Sequence, residues 1–143
     1  MTRTPITRRA ALALCACLMA GAAQAADAGS EDPLAEYLWT ARPLVIFANN
    51  DRDPRLLRQL RDIESRQQDL EDRDVVVIVD TTPGPSRFDD TPLRMKFRPH
   101  DFNVILVGKD GEVKKRSPSP VSGAQLVRLI DRLPLRQEEL GRR

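Results

Sequence analysis

Two uninterrupted apolar runs constrain this chain more than any other feature: Leu44-Val45-Ile46-Phe47-Ala48 and Val75-Val76-Val77-Ile78-Val79. A strand with one wet face alternates apolar and polar residues. A run without polar interruption predicts a strand covered on both faces. Between the runs, Asp53-Pro54 pairs a capping residue with proline at a first helical position. Leu56, Leu57, Leu60, Ile63 and Leu70 then recur along one face, and Arg58/Asp62, Asp62/Arg66 and Asp69/Arg73 sit four apart on the other. Strand, long amphipathic helix, strand is the pattern of a parallel βαβ unit with a right-handed crossover.

The flanking segments extend this unit. Asp32-Pro33 opens a short predicted helix carrying Leu34, Tyr37, Leu38 and Ala41 and ending near Arg42-Pro43. Residues 81–90 are rich in turn formers and predict a loop. Thr91-Pro92 starts another short helix bearing Leu93 and Phe97. Residues 103–107 (NVILV) predict a third buried strand. Asp110-Gly111 predicts a two-residue hairpin turn, and residues 112–116 (EVKKR) an edge strand whose lysines discourage unwanted pairing. Ser122 and Gln125 form a capping box, with Val121 and Leu126 placed as a hydrophobic staple. Leu126, Leu129, Ile130 and Leu133 make the stripe of a last helix that Pro134 is expected to stop. The expected class is α/β: a three-layer thioredoxin-like fold, with a central mixed four-stranded sheet and helices on both faces.

The N-terminus reads as an address and not as part of the fold. Arg3, Arg8 and Arg9 precede the uncharged stretch 10–23, and Ala23-Gln24-Ala25 fits a small-x-small cleavage site. Residues 1–25 are therefore expected to be a secretory signal peptide and residues 26–143 the domain. Arg8-Arg9 leaves a twin-arginine route open, and Cys17 a lipidated variant. No other segment is apolar for long enough to span a bilayer. The strong preference for arginine over lysine, 19 to 4, reads as the coding bias of a GC-rich bacterium, which makes the expected compartment a periplasm.

Cleavage changes what the composition allows. Of 23 basic and 21 acidic residues, the leader carries three arginines and no acid, so 20 face 21 in the rest, a net charge of −1. That argues against a nucleic-acid partner. Cys15 and Cys17 leave with the leader, so the mature chain has no thiol nucleophile and no cysteine metal ligand.

The stretches DPLAEYLWTARPLVIFA, DPRLLRQL, DVVVIV, VILVGKDGEVKKR and LIDRLPLRQEEL, spanning roughly residues 32–139, resemble the family known as domain of unknown function 4174. This family is also described as the DUDES domain, a peroxiredoxin- or thioredoxin-like module of bacterial exported proteins and some animal extracellular-matrix proteins. The resemblance implies a fold and a compartment, but no reaction.

In a thioredoxin-like fold the redox pair would fall within residues 49–54. Here that corner reads Asn49, Asn50, Asp51, Arg52, Asp53, Pro54. The usual cis-proline place falls near Asn103, and Pro99 comes too early. Asn49, Asn50, Asp51, Arg52 and Asp53 are the candidate ligand-binding residues, since a helix N-terminus favours anions and Arg52 could assist. The simpler reading is that Asp53 caps the helix and Asp51 complements its dipole; two carboxylates would also repel an anion. A calcium site on the same oxygens lacks the glycine and glutamate of a calcium-binding loop, so no metal or cofactor is expected.

No catalytic residue is assigned. His100 is the sole histidine, no G-x-S-x-G is present, and Ser86, Ser117, Ser119 and Ser122 sit in turns or caps. Asp89-Asp90 reads as an exposed loop pair, and Lys114-Lys115-Arg116 with Arg98 is too small for a nucleic-acid surface. Trp39, off the apolar face, is an exposed contact candidate. The expected function is a non-enzymatic binding or interaction module whose partner is a periplasmic or envelope protein. The alternatives are a peroxiredoxin-derived enzyme or redox-associated protein using the 49–54 corner, or an anion or small-ligand binder there.

Overall fold

The computed structural model describes residues 31–81 and 91–142. The order is β1 (Arg42–Phe47), α1 (Pro54–Glu64), α2 (Gln67–Glu71), β2 (Val75–Asp80), α3 (Pro92–Phe97), β3 (Asn103–Val107), β4 (Val113–Ser117), α4 (Gly123–Asp131) and α5 (Pro134–Gly141). The strands form one mixed sheet in the order β2-β1-β3-β4. β1 pairs with β2 in parallel, Leu44 opposite Val77, and with β3 antiparallel, Val45 opposite Ile105. β3 and β4 are antiparallel, with Ile105 opposite Arg116. This arrangement is consistent with a thioredoxin-like fold.

Alternation along β1 divides the core in two. Leu44, Ile46 and Ala48 face a layer containing Leu56, Ile63, Leu70, Leu126 and Ile130 from α1, α2 and α4. On the other side of the sheet Val45, Phe47, Ile105 and Val107 pack with Leu34 and Phe97, with Tyr37, Ile78 and Leu93 alongside. Every residue of β1 and β3 is buried, as their unbroken apolar runs predict.

Three local signals are realised as read. Asp53 Oδ1 accepts from Arg55 N at 2.8 Å, the Thr91 hydroxyl accepts from Arg94 N at 3.2 Å, and Ser122 and Gln125 complete a reciprocal capping box. The exposed edge strand near residues 112–116 is present as β4.

Several expectations are corrected. Among the described residues β2 is not covered on both faces: it is an edge strand, and Val77 and Val79 are exposed. The short helix after Pro33 is one 3₁₀ turn, Ala35–Tyr37, because Trp39 takes a left-handed φ of 62° and turns the chain toward β1. The long helix breaks between α1 and α2. An unbroken helix would give the Asp62 carbonyl to Arg66 N; here the Ser65 hydroxyl takes that carbonyl at 2.8 Å and Arg66 N tightens to Ile63 O at 2.9 Å. Arg66 pairs with Asp69 at 3.2 Å rather than with Asp62. Leu57, placed on the apolar stripe, is exposed, and Gln59 is buried instead.

The start of α4 packs tightly against the end of α1. A Cβ on Gly123 would lie 2.7 Å from the Asp62 carbonyl oxygen, so only glycine fits there. The hairpin spans residues 108–112 rather than two residues, with Val107 opposite Val113 and an irregular register beside it. Pro134 begins a helix instead of merely ending one: it occupies the first position of α5, where its missing N–H is no loss. The export signal at residues 1–25, Ser86 and the Asp89-Asp90 pair lie outside the described residues.

Candidate functional site

The corner after β1 is built by the chain reversal from β1 into α1, against the segment that leads into β3. Asp53 is buried at the N-cap. Its Oδ2 lies 2.7 Å from Arg55 Nη2, and its Oδ1 also accepts from Arg55 Nε at 3.0 Å. Arg55 continues to Asp101, with Nη1 donating to Oδ2 at 2.7 Å and Nη2 to Oδ1 at 3.1 Å. Asn49 Nδ2 donates to the same Oδ1 at 2.7 Å. The Arg55 guanidinium also lies 5.3 Å from the centre of the Phe102 ring.

The electrostatics follow from this closure. Hydrogen bonding to Arg55 holds the Asp53 and Asp101 carboxyls below their usual range, and both carboxylates raise the Arg55 pKa in return. Both oxygens of each carboxylate are engaged by side chains of the corner itself. The arrangement is a hydrogen-bonded clamp, two carboxylates on one guanidinium, joining the first turn of α1 to the approach to β3. It contains no thiol.

The five candidate residues divide between the clamp and the turn that precedes it. Asn49 and Asp53 join the clamp. Asn50 turns its Oδ1 onto Arg52 N at 2.9 Å, a local turn, while the side chains of Asp51 and Arg52 are exposed. His100 is exposed beside Asp101. Among the described residues, no group of three or more His, Cys, Asp or Glu is arranged to hold a metal ion. No helix there is long and apolar enough to cross a membrane.

Two further polar clusters escaped sequence reasoning. At the ends of β1 and β2, buried Arg94 donates to Asp80 Oδ1 at 3.1 Å and to the Ala48 carbonyl at 2.8 Å, and its guanidinium lies 5.4 Å from the centre of the Phe47 ring. The Thr91 hydroxyl donates to Asp80 Oδ2. At the opposite end of the sheet, buried Arg42 donates to Glu139 Oε1 at 2.9 Å and to the Arg73 carbonyl at 2.8 Å. Lys109 and Arg136 also reach Glu139, at 2.9 and 3.2 Å. Burial pushes the Glu139 carboxyl up, but hydrogen bonds from Lys109, Arg42 and Arg136 outweigh it and bring the pKa down to about 2.

Arg55 was readable only as the residue after Asp53-Pro54, and Asp101 only as a neighbour of His100. Their partnership needs the antiparallel pairing of β1 with β3. Asp131, Arg136 and Glu139 come from the LIDRLPLRQEEL stretch, so its charged residues hold α5 against β1 and the end of α4. The family model described as "Domain of unknown function (DUF4174)" matches residues 33–139, which takes in the clamp and the end of the α5 network alike, and the chain belongs to that family.

Proposed function

We propose that this protein is an exported thioredoxin-like domain, directed to the periplasm by residues 1–25, that works by binding another protein and not by catalysis. The observation that carries this reading is the Asp53–Arg55–Asp101 clamp. The corner where such a fold would hold an attacking thiolate is occupied by side chains already paired with one another. An anion binder there is disfavoured, because the clamp sets two carboxylates against one guanidinium and so carries net negative charge. Cys15 and Cys17 fall within the proposed signal and leave with it.

Peroxide consumption and disulfide reduction by the purified protein test the non-enzymatic reading, and background rates are expected. Intact-mass measurement of protein recovered from the periplasm tests export. The expected mass starts at Ala26; a chain retaining Cys17 contradicts it.

A further inference from the structure

β2 is the outermost strand at its side of the sheet among the described residues, and its composition is unusual for that place. Edge strands commonly carry charges that discourage an incoming strand, as β4 does with Lys114, Lys115 and Arg116. β2 instead begins with five β-branched apolar residues, of which Val77 and Val79 are 37% and 43% exposed. A groove follows each face of this edge. One, of about 310 Å³, lies against α1 and α2 and combines Leu60, Leu70 and Val77 with Glu64 and Glu71. The other, of about 410 Å³, is lined by Tyr37, Ile78 and Leu93, with Glu36 at its side and Asp80, already paired with Arg94, at its end. Among the described residues, no lysine or arginine lines either groove.

We infer that the β2 edge docks an extended segment of a partner protein, which adds a strand to the sheet and alternates basic with apolar side chains. The inference rests on the binding-module reading above and names its surface. Successive side chains of an added strand point to opposite faces. The basic ones meet Glu64 and Glu71, and the apolar ones enter the Tyr37–Ile78–Leu93 groove. Main-chain hydrogen bonding along β2 supplies affinity while the two grooves select the sequence. A second copy of this chain fits less well. Another β2 brings no cation, and on β4 the Lys114 and Arg116 side chains are already held by Asp110 and the Phe97 carbonyl, each at 2.5 Å, which leaves Lys115 to face both acids.

The test titrates the purified protein into a fluorescein-labelled peptide that alternates valine with lysine, read by anisotropy, with amide chemical-shift mapping on the unlabelled complex. Saturable binding is expected, with shifts centred on Val75–Val79 and no binding of a valine–glutamate peptide. Reversing both acids, Glu64→Lys with Glu71→Lys, removes two exposed ion pairs and weakens binding about tenfold. The inference is overturned by absent saturation, by shifts confined to other elements, or by undiminished affinity in the double variant. It is equally overturned by self-association in sedimentation that Val77→Lys abolishes, which assigns the edge to a second copy. Each of these outcomes leaves the non-enzymatic reading standing, whereas catalysed turnover removes that reading whatever the peptide does.

Discussion

Arg55 Nη1 sits 2.7 Å from Oδ2 of Asp101, a residue 46 positions further along the chain. This contact ties the first turn of α1 to the approach to β3 and closes the corner that a redox protein of this fold would leave reactive. Asp53, buried beneath the same guanidinium, is both helix cap and counter-charge. The corner is therefore expected to respond to mutation as a structural element.

Asp53→Ala removes the cap and leaves Arg55 with one carboxylate. Its expected cost is about 1–2 kcal/mol in denaturant unfolding. Asp51→Ala, at an exposed position, should stay within about 0.5 kcal/mol of the parent. Equal losses at the two positions would contradict the assignment of Asp53 as the cap.

Glu139 gives an acid signature. Its folded pKa is depressed from 4.5 to about 2, so its contribution is complete above 4.5 and disappears as pH falls through about 2. The stability difference between the parent and Glu139→Gln should shrink across that window, by at most about 3 kcal/mol. Thermal melts of both proteins between those pH values measure it. A difference independent of pH would mean that the Arg42–Glu139 contact is not formed.

Gln59 is fully buried on α1 and makes two hydrogen bonds to one residue: Nε2 donates to the Val121 carbonyl at 2.8 Å and Oε1 accepts from Val121 N at 2.6 Å. Gln59→Leu keeps the volume but strands both backbone groups. The expected loss is about 2–4 kcal/mol, seen as a lower denaturation midpoint with an unchanged slope.

Trp39 is 67% exposed and holds a left-handed φ of 62°, fixed by its N–H donating to the Lys109 carbonyl at 2.7 Å. Trp39→Gly should raise stability by about 1 kcal/mol, because the strain is relieved and the hydrogen bond kept. As the sole tryptophan, Trp39 should show the red-shifted emission of a solvated indole in the parent protein.

The parts of the fold legible in the sequence are those governed by local physics. The caps at Asp53, Thr91 and Ser122 involve residues two or three apart, and the buried strands announce themselves by unbroken apolar runs. What stayed hidden depends on topology. Val75–Val79 has the composition of a central strand, but which strand ends at the edge is decided by pairing, and β1 and β3 took the middle. The helix break rests on one hydroxyl, that of Ser65, competing for one carbonyl. At the candidate site, Asp53 was readable as a cap. Arg55, Asp101, Arg42 and Glu139 were not, because antiparallel register and the return of α5 bring them together across 46 and 97 residues.

The most direct test of the central claim is turnover. Hydrogen peroxide consumption and dithiol-dependent disulfide reduction by the purified protein should match a buffer control, in the parent and in Asp53→Ala alike. A catalysed rate in the parent that Asp53→Ala or Asp101→Ala abolishes, with the fold intact by circular dichroism, would contradict the account.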